Sequence, residues 1–185
     1  LEIFVRVIEA GSFSAAARAL DVLTVSDDRP AILVAAGYGA LSAPDWRALA
    51  ASAAEGLAID LTRGGVPSPV AGLDDKVIVA GVVDGRNVWR GDLAGAADVL
   101  DAVGGLGAAA VAVGTSTSLQ HVPHDLADEP DLDPRLVSWL AFADQKVSQV
   151  TTLARGLVAG RDAIAGELDA ATAALADRRS APGVR

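Results

Sequence analysis

Runs of small apolar residues alternate with stripes at helical spacing along most of this chain. The clearest unit is Val77 to Leu93, VIVAGVVDGRNVWRGDL. Its opening run of Val, Ile and Ala suits a strand buried on both faces. Asp84-Gly85 breaks that run into a polar turn through Arg86-Asn87. Asp92 then supplies a carboxylate able to cap a helix. The spacing predicts a helix from Asp92 to about Val103, with Leu93, Ala96, Ala97, Leu100 and Val103 on one face and Gly104-Gly105 as its stop. Strand, polar loop and capped helix form one βα unit, with the charged residues at the strand's C-terminal end.

The same alternation recurs on either side. Ala31 to Ala36 reads as a buried strand followed by a Gly37-Tyr38-Gly39 loop. Ser42 and Asp45 have capping-box spacing, Pro44 suits a first helical turn, and Trp46, Leu49 and Ala53 mark an inner face that ends at Gly56. Leu57 to Leu61 is a second strand, and Thr62 to Gly65 its loop. Ala109 to Val113 is a fourth strand, after the one in the opening unit. Asp133 then caps a helix with Pro134 at its first position. Leu136, Leu140, Ala143, Val147, Val150, Ala154 and Leu157 follow in steps of three and four, which predicts one continuous helix to Gly160. A last helix is expected from Asp162 to about Ala176, with a loose tail from Ser180 to Arg185.

The chain's first stretch breaks the alternation. Ile3, Phe4, Val7 and Ile8 sit at helical spacing, Gly11 stops them, and Ser12 or Ser14 can cap a second short helix holding Ala15, Ala16, Ala19 and Leu20. The expected organisation is therefore a helical hairpin over 1–28, a βα body over 29–179 and a tail over 180–185. The body predicts the α/β class: parallel βα units forming about half of an eight-stranded (β/α)8 TIM-type barrel.

Composition narrows the function classes. Apolar residues make up 51% of the chain and aromatic residues 4%, which suits Ala-rich helices packed closely on a sheet. Apolar runs stay well short of the roughly 18–20 residues a membrane span needs. Glu2, Arg6 and Glu9 interrupt any signal-like apolar segment, so a cytoplasmic protein is expected. The net charge of −9 opposes nucleic acid unless a basic patch overrides it, and no such patch is visible. Without cysteine there is neither a disulfide nor a thiolate metal site. The absence of methionine in a chain starting at Leu1 leads to the expectation that the sequence is a piece of a longer one.

Asp60, Arg63, Asp84, Arg86, Ser116 and His121 all follow strand ends and should gather at one mouth of the sheet. They could form a rim for a small anion or substrate, or an ion-pair network that fixes the βα loops. His121 and His124 flank Val122-Pro123, with Asp125 and Asp128 as further potential metal ligands. However, Pro123 forces extended backbone, and histidines three apart outside a helix converge poorly. Gly104 to Gly107 precedes a strand, the reverse of a nucleotide-binding glycine loop. The acidic run from Asp125 to Asp133 lacks the spacing and glycine of a calcium loop. No catalytic, cofactor-binding or metal-binding residue is assigned from spacing.

Two resemblances are carried by motifs. The run FVRVIEAGSFSAAARAL resembles the opening of a LysR-type helix-turn-helix. Where a recognition helix should follow, the chain reads LTVSDDRP, so a DNA-binding regulator is the alternative reading only. From Arg29 to Gly160 the pieces RPAILVAAGYGAL, AIDLTRGG, VAGVVDGRNVWRGDL, TSTSLQHVPHDL and LDPRLVSWLAFADQKVSQV resemble, in order, the N-terminal domain of cobalamin-independent methionine synthase. Thr117 replaces the cysteine of that family's TSCS run, and Gly37-Tyr38-Gly39 replaces its T-Y-F-G-like run.

The resemblance implies two facing (β/α)8 barrels in the complete enzyme and methyl transfer from 5-methyltetrahydropteroyl-polyglutamate to homocysteine, in methionine biosynthesis. It implies zinc, bound by His, Cys and carboxylate ligands of the C-terminal barrel. None of those ligands has a matching position here, so this chain alone is expected to bind no cofactor and turn nothing over. The basic residues implied to hold the polyglutamate tail have no matching positions either. Because that family does its chemistry in the other barrel, the strand-end cluster is expected to be a loop-fixing network. A complementary barrel half, or self-association through open sheet edges, is the expected partner.

Overall fold

The computed structural model describes residues 5, 6, 20, 22–26, 28–37 and 39–182. Within them a five-stranded sheet runs β1 (Val5–Arg6), β2 (Leu33–Ala36), β3 (Gly56–Asp60), β4 (Val77–Val83) and β5 (Ala110–Thr115). The strands lie side by side in chain order, and every neighbouring pair is parallel. Sequential order is the arrangement of a barrel wall, because doubly wound sheets reverse direction partway across. The α/β class and the half-barrel of TIM type are thus what the chain adopts.

Helices follow the strands: α1 (Ala43–Ala50), α2 (Leu93–Gly104), α3 (Pro134–Trp139), α4 (Ala143–Ala159) and α5 (Ala165–Ser180). Their N-termini form where the sequence supplies acceptors. Ser42 accepts from the Asp45 amide, Asp92 from Gly95, and Asp133 from Arg135 and Leu136. On α2, Leu93, Ala96, Ala97, Leu100 and Val103 are all buried, as the spacing predicts. They share one core cluster with Leu57, Ile78 and Ala80, each fully buried in the sheet. Among the described residues no helix is long and apolar enough to cross a membrane.

The connection from β3 to β4 has no helix. It lies over α1 instead, where the Trp46 indole donates to the Ser68 carbonyl at 2.9 Å and Leu73 is 2% exposed. The N-terminal strand ends are tied by charge. Glu55 accepts from the Ile32 amide and from Arg29, each at 2.7 Å. Lys76 donates to the carbonyls of Ser52 and Ala54 at 2.7 and 2.8 Å.

Four expectations are corrected. Val5–Arg6 pairs with Val34 and Ala35 as strand, where a helix was expected; Leu20, Val22 and Leu23 are helical, while Ile3, Phe4, Val7, Ile8 and most of the hairpin lie outside the described residues. Helix α1 stops at Ala50, so Ala53 is exposed beyond it. The single helix expected from Asp133 to Gly160 is two. Leu140 is extended (φ −94°, ψ 155°) and forms an antiparallel bridge with Trp89. The break holds because distant backbone satisfies it: Arg90 N–H donates to Trp139 O and Ala141 N–H to Val88 O, both at 2.8 Å. The last helix is preceded by a 3-10 turn and runs on to Ser180, and Ala181 is buried where a loose tail was expected; residues 183–185 lie outside the described set.

The inner face of α4 is also offset from the apolar stripe. Lys146, Gln149, Leu153 and Gly156 are buried, while Val147 and Val158 are 53% and 88% exposed. A polar pair therefore faces inward at the start of α4, and what it meets defines the strand-end region.

Candidate functional site

The C-terminal ends of β3, β4 and β5 lie next to one another, so the first residues after them converge. Asp60 ends β3, and its side chain is fully buried. One of its oxygens takes the amides of Thr62 and Arg63 at 3.0 and 3.3 Å and the Thr62 hydroxyl at 2.8 Å. The other is ion-paired with the Arg86 guanidinium.

Arg86 sits in the loop after β4, and its second terminal nitrogen donates to Ser116 Oγ at 3.0 Å. Ser116 Oγ also accepts from the Gly85 amide at 3.2 Å. Asp84 turns the loop by accepting from the Arg86 amide at 2.8 Å and from Asn87 Nδ2 at 2.7 Å. The arrangement depends on close backbone approach. A Cβ at Gly81 would lie 2.6 Å from Ile59 O and 2.9 Å from Ser116 Cα, and one at Gly85 would lie 2.6 Å from Thr117 O.

Lys146 and Gln149 of α4 complete the loop from outside. Lys146 is 1% exposed and donates to Trp89 O at 3.1 Å, with Asn87 Oδ1 at 3.5 Å. Burial lowers its pKa, opposed by attraction to Asp84. Gln149 Oε1 accepts from the Gly91 amide at 3.3 Å. Beyond them, Arg178 of α5 stacks on Trp89 at 4.7 Å. Asp177 accepts from Trp139 Nε1 at 2.8 Å and from Arg135 at 2.7 and 2.9 Å, and this holds its carboxyl at a pKa of about 2.

Of the six residues singled out in the sequence, Asp60, Asp84, Arg86 and Ser116 come together. Arg63 reaches the group through its backbone amide while the residue itself is exposed. His121 is exposed and meets Gln120, Nε2 to Nε2 at 3.1 Å. Lys146 and Gln149 were not singled out. The QKVSQ run gives a weak hint, since two polar residues three apart share a helix face, but only the contacts identify that face as the inner one.

The two histidines have separate neighbours, His121 beside Gln120 and His124 beside two aspartates. His124 lies 3.7 Å from both Asp128 and Asp144, with its ring well exposed. Asp125 instead accepts from Gln145 at 2.7 Å and from the Ala127 amide at 3.1 Å, which lowers its pKa. Among the described residues no three of His, Cys, Asp or Glu converge as metal ligands, and the chain has no cysteine. The residues present therefore do not fit the zinc centre implied by the resemblance.

Comparison with known proteins places these features in a family. Residues 2–107 match the model of the cobalamin-independent synthase N-terminal domain. A 5-methyltetrahydropteroyltriglutamate–homocysteine methyltransferase of Mycolicibacterium paratuberculosis is 49% identical over 85% of this chain and 21% of its own length. The protein of the same name from Mycobacterium leprae is 48% identical over 83% of the chain and 20% of its own. That of Streptomyces coelicolor is 42% identical over 96% of the chain and 23% of its own. The chain thus spans about a fifth of the length of these relatives. The family match begins at residue 2 and so covers the run that resembles a helix-turn-helix, and it gives the DNA-binding alternative no support. The match covers more than half of the chain, and the chain belongs to the cobalamin-independent synthase N-terminal domain family.

Proposed function

We propose that this chain is a scaffold section of a 5-methyltetrahydropteroyltriglutamate–homocysteine methyltransferase, acting in methionine biosynthesis in the cytoplasm, and that its own residues perform no methyl transfer. The names of the relatives supply the reaction and substrates. One observation supports the scaffold role above others: four of the six strand-end residues, Asp60, Asp84, Arg86 and Ser116, are engaged with one another or with their own loops. Arg86 is engaged by Asp60 and Ser116, Asp84 by Asn87 and the Arg86 amide, and Lys146 by Trp89. The Asp60 carboxylate already offsets the Arg86 charge, which weakens the pull of this guanidinium on a substrate anion.

In this reading Asp60, Asp84, Arg86 and Ser116 brace the loops after β3, β4 and β5, while Lys146 and Gln149 brace the 87–91 loop against α4. The partner is a complementary set of barrel strands, added at the edges that β1 and β5 form among the described residues. The test is a methyl-transfer assay on the purified 185 residues with homocysteine, the triglutamate substrate and added zinc. Methionine formation at the no-protein background is expected. Turnover above it would overturn the scaffold reading.

A further inference from the structure

We draw no further inference here: the strongest candidate, the outward apolar stripe of α4 formed by Val147, Leu157 and Val158, is an unpartnered helix face, and nothing in the structure shows what covers it.

Discussion

Arg86 and Ser116, thirty positions apart, meet at 3.0 Å, Nη1 to Oγ. The same hydroxyl accepts the Gly85 amide at 3.2 Å. One small side chain after β5 thus fixes both the charged group and the backbone of the loop after β4. Ser116→Ala leaves that amide and one guanidinium nitrogen short of an acceptor in a buried setting, at a cost of about 1–3 kcal/mol. Urea unfolding measures it as a lower midpoint with unchanged slope.

The loop's outer brace is tested by Lys146→Met, which keeps most of the buried stem and removes the donor to Trp89 O. The expected result is a loss of about 1–3 kcal/mol, accompanied by faster amide hydrogen exchange at Arg90 and Gly91 than in the unsubstituted chain. Unchanged exchange there would mean that Lys146 does not hold this loop.

Glu55 gives a pH dependence. Its hydrogen bond to Arg29, aided by the Ile32 amide, lowers its pKa from 4.5 to about 2 in the folded chain. A carboxyl depressed on folding stabilises above its unfolded pKa, and that contribution disappears as the pH falls through the folded value. The stability advantage over Glu55→Gln should therefore be full above pH 4.5 and decline toward pH 2. The Glu55 side chain is 43% exposed, so solvent screening limits the advantage to about 1 kcal/mol. Denaturant melts of both chains at several acidic pH values check the trend.

Glycine substitutions separate close approach from composition. In Gly81→Ala the new methyl meets backbone atoms of both β3 and β5, at 2.6 to 3.0 Å. The strands must move apart, and a loss of about 3 kcal/mol or more is expected. Gly104→Ala, with nothing within 4 Å, adds a better helix former to the end of α2 and should change stability by less than about 1 kcal/mol. Thermal unfolding of the two variants side by side makes the comparison.

These elements differ in how far the sequence revealed them. The unit from β4 to α2 was legible because its causes are local: an apolar run, a turn at Asp84-Gly85, a cap at Asp92 and a helical period over Leu93 to Val103. The convergence of Asp60, Asp84, Arg86 and Ser116 was legible too, since parallel neighbours bring their C-terminal ends together. The directions of the Arg63 and His121 side chains were not, because their loops set them. The break at Leu140 depends on backbone from Val88 to Arg90, some fifty positions away, and the spacing of apolar residues runs on across it undisturbed. The apolar stripe misses the inner face of α4 for a related reason. Lys146 and Gln149 are buried because they satisfy the 87–91 backbone, and hydrophobic period does not register that requirement.

The loop-bracing role of Arg86 is tested most directly by a double-mutant cycle with Asp60, using Arg86→Met, Asp60→Asn and the pair, each measured by urea unfolding. Asp60 is fully buried and Arg86 only partly so, and removing either partner is expected to cost at most about 3–5 kcal/mol. The double variant should cost less than the sum of the singles, by a coupling of about 1–3 kcal/mol. Additive losses with no coupling would contradict the claim that Arg86 and Asp60 are committed to each other.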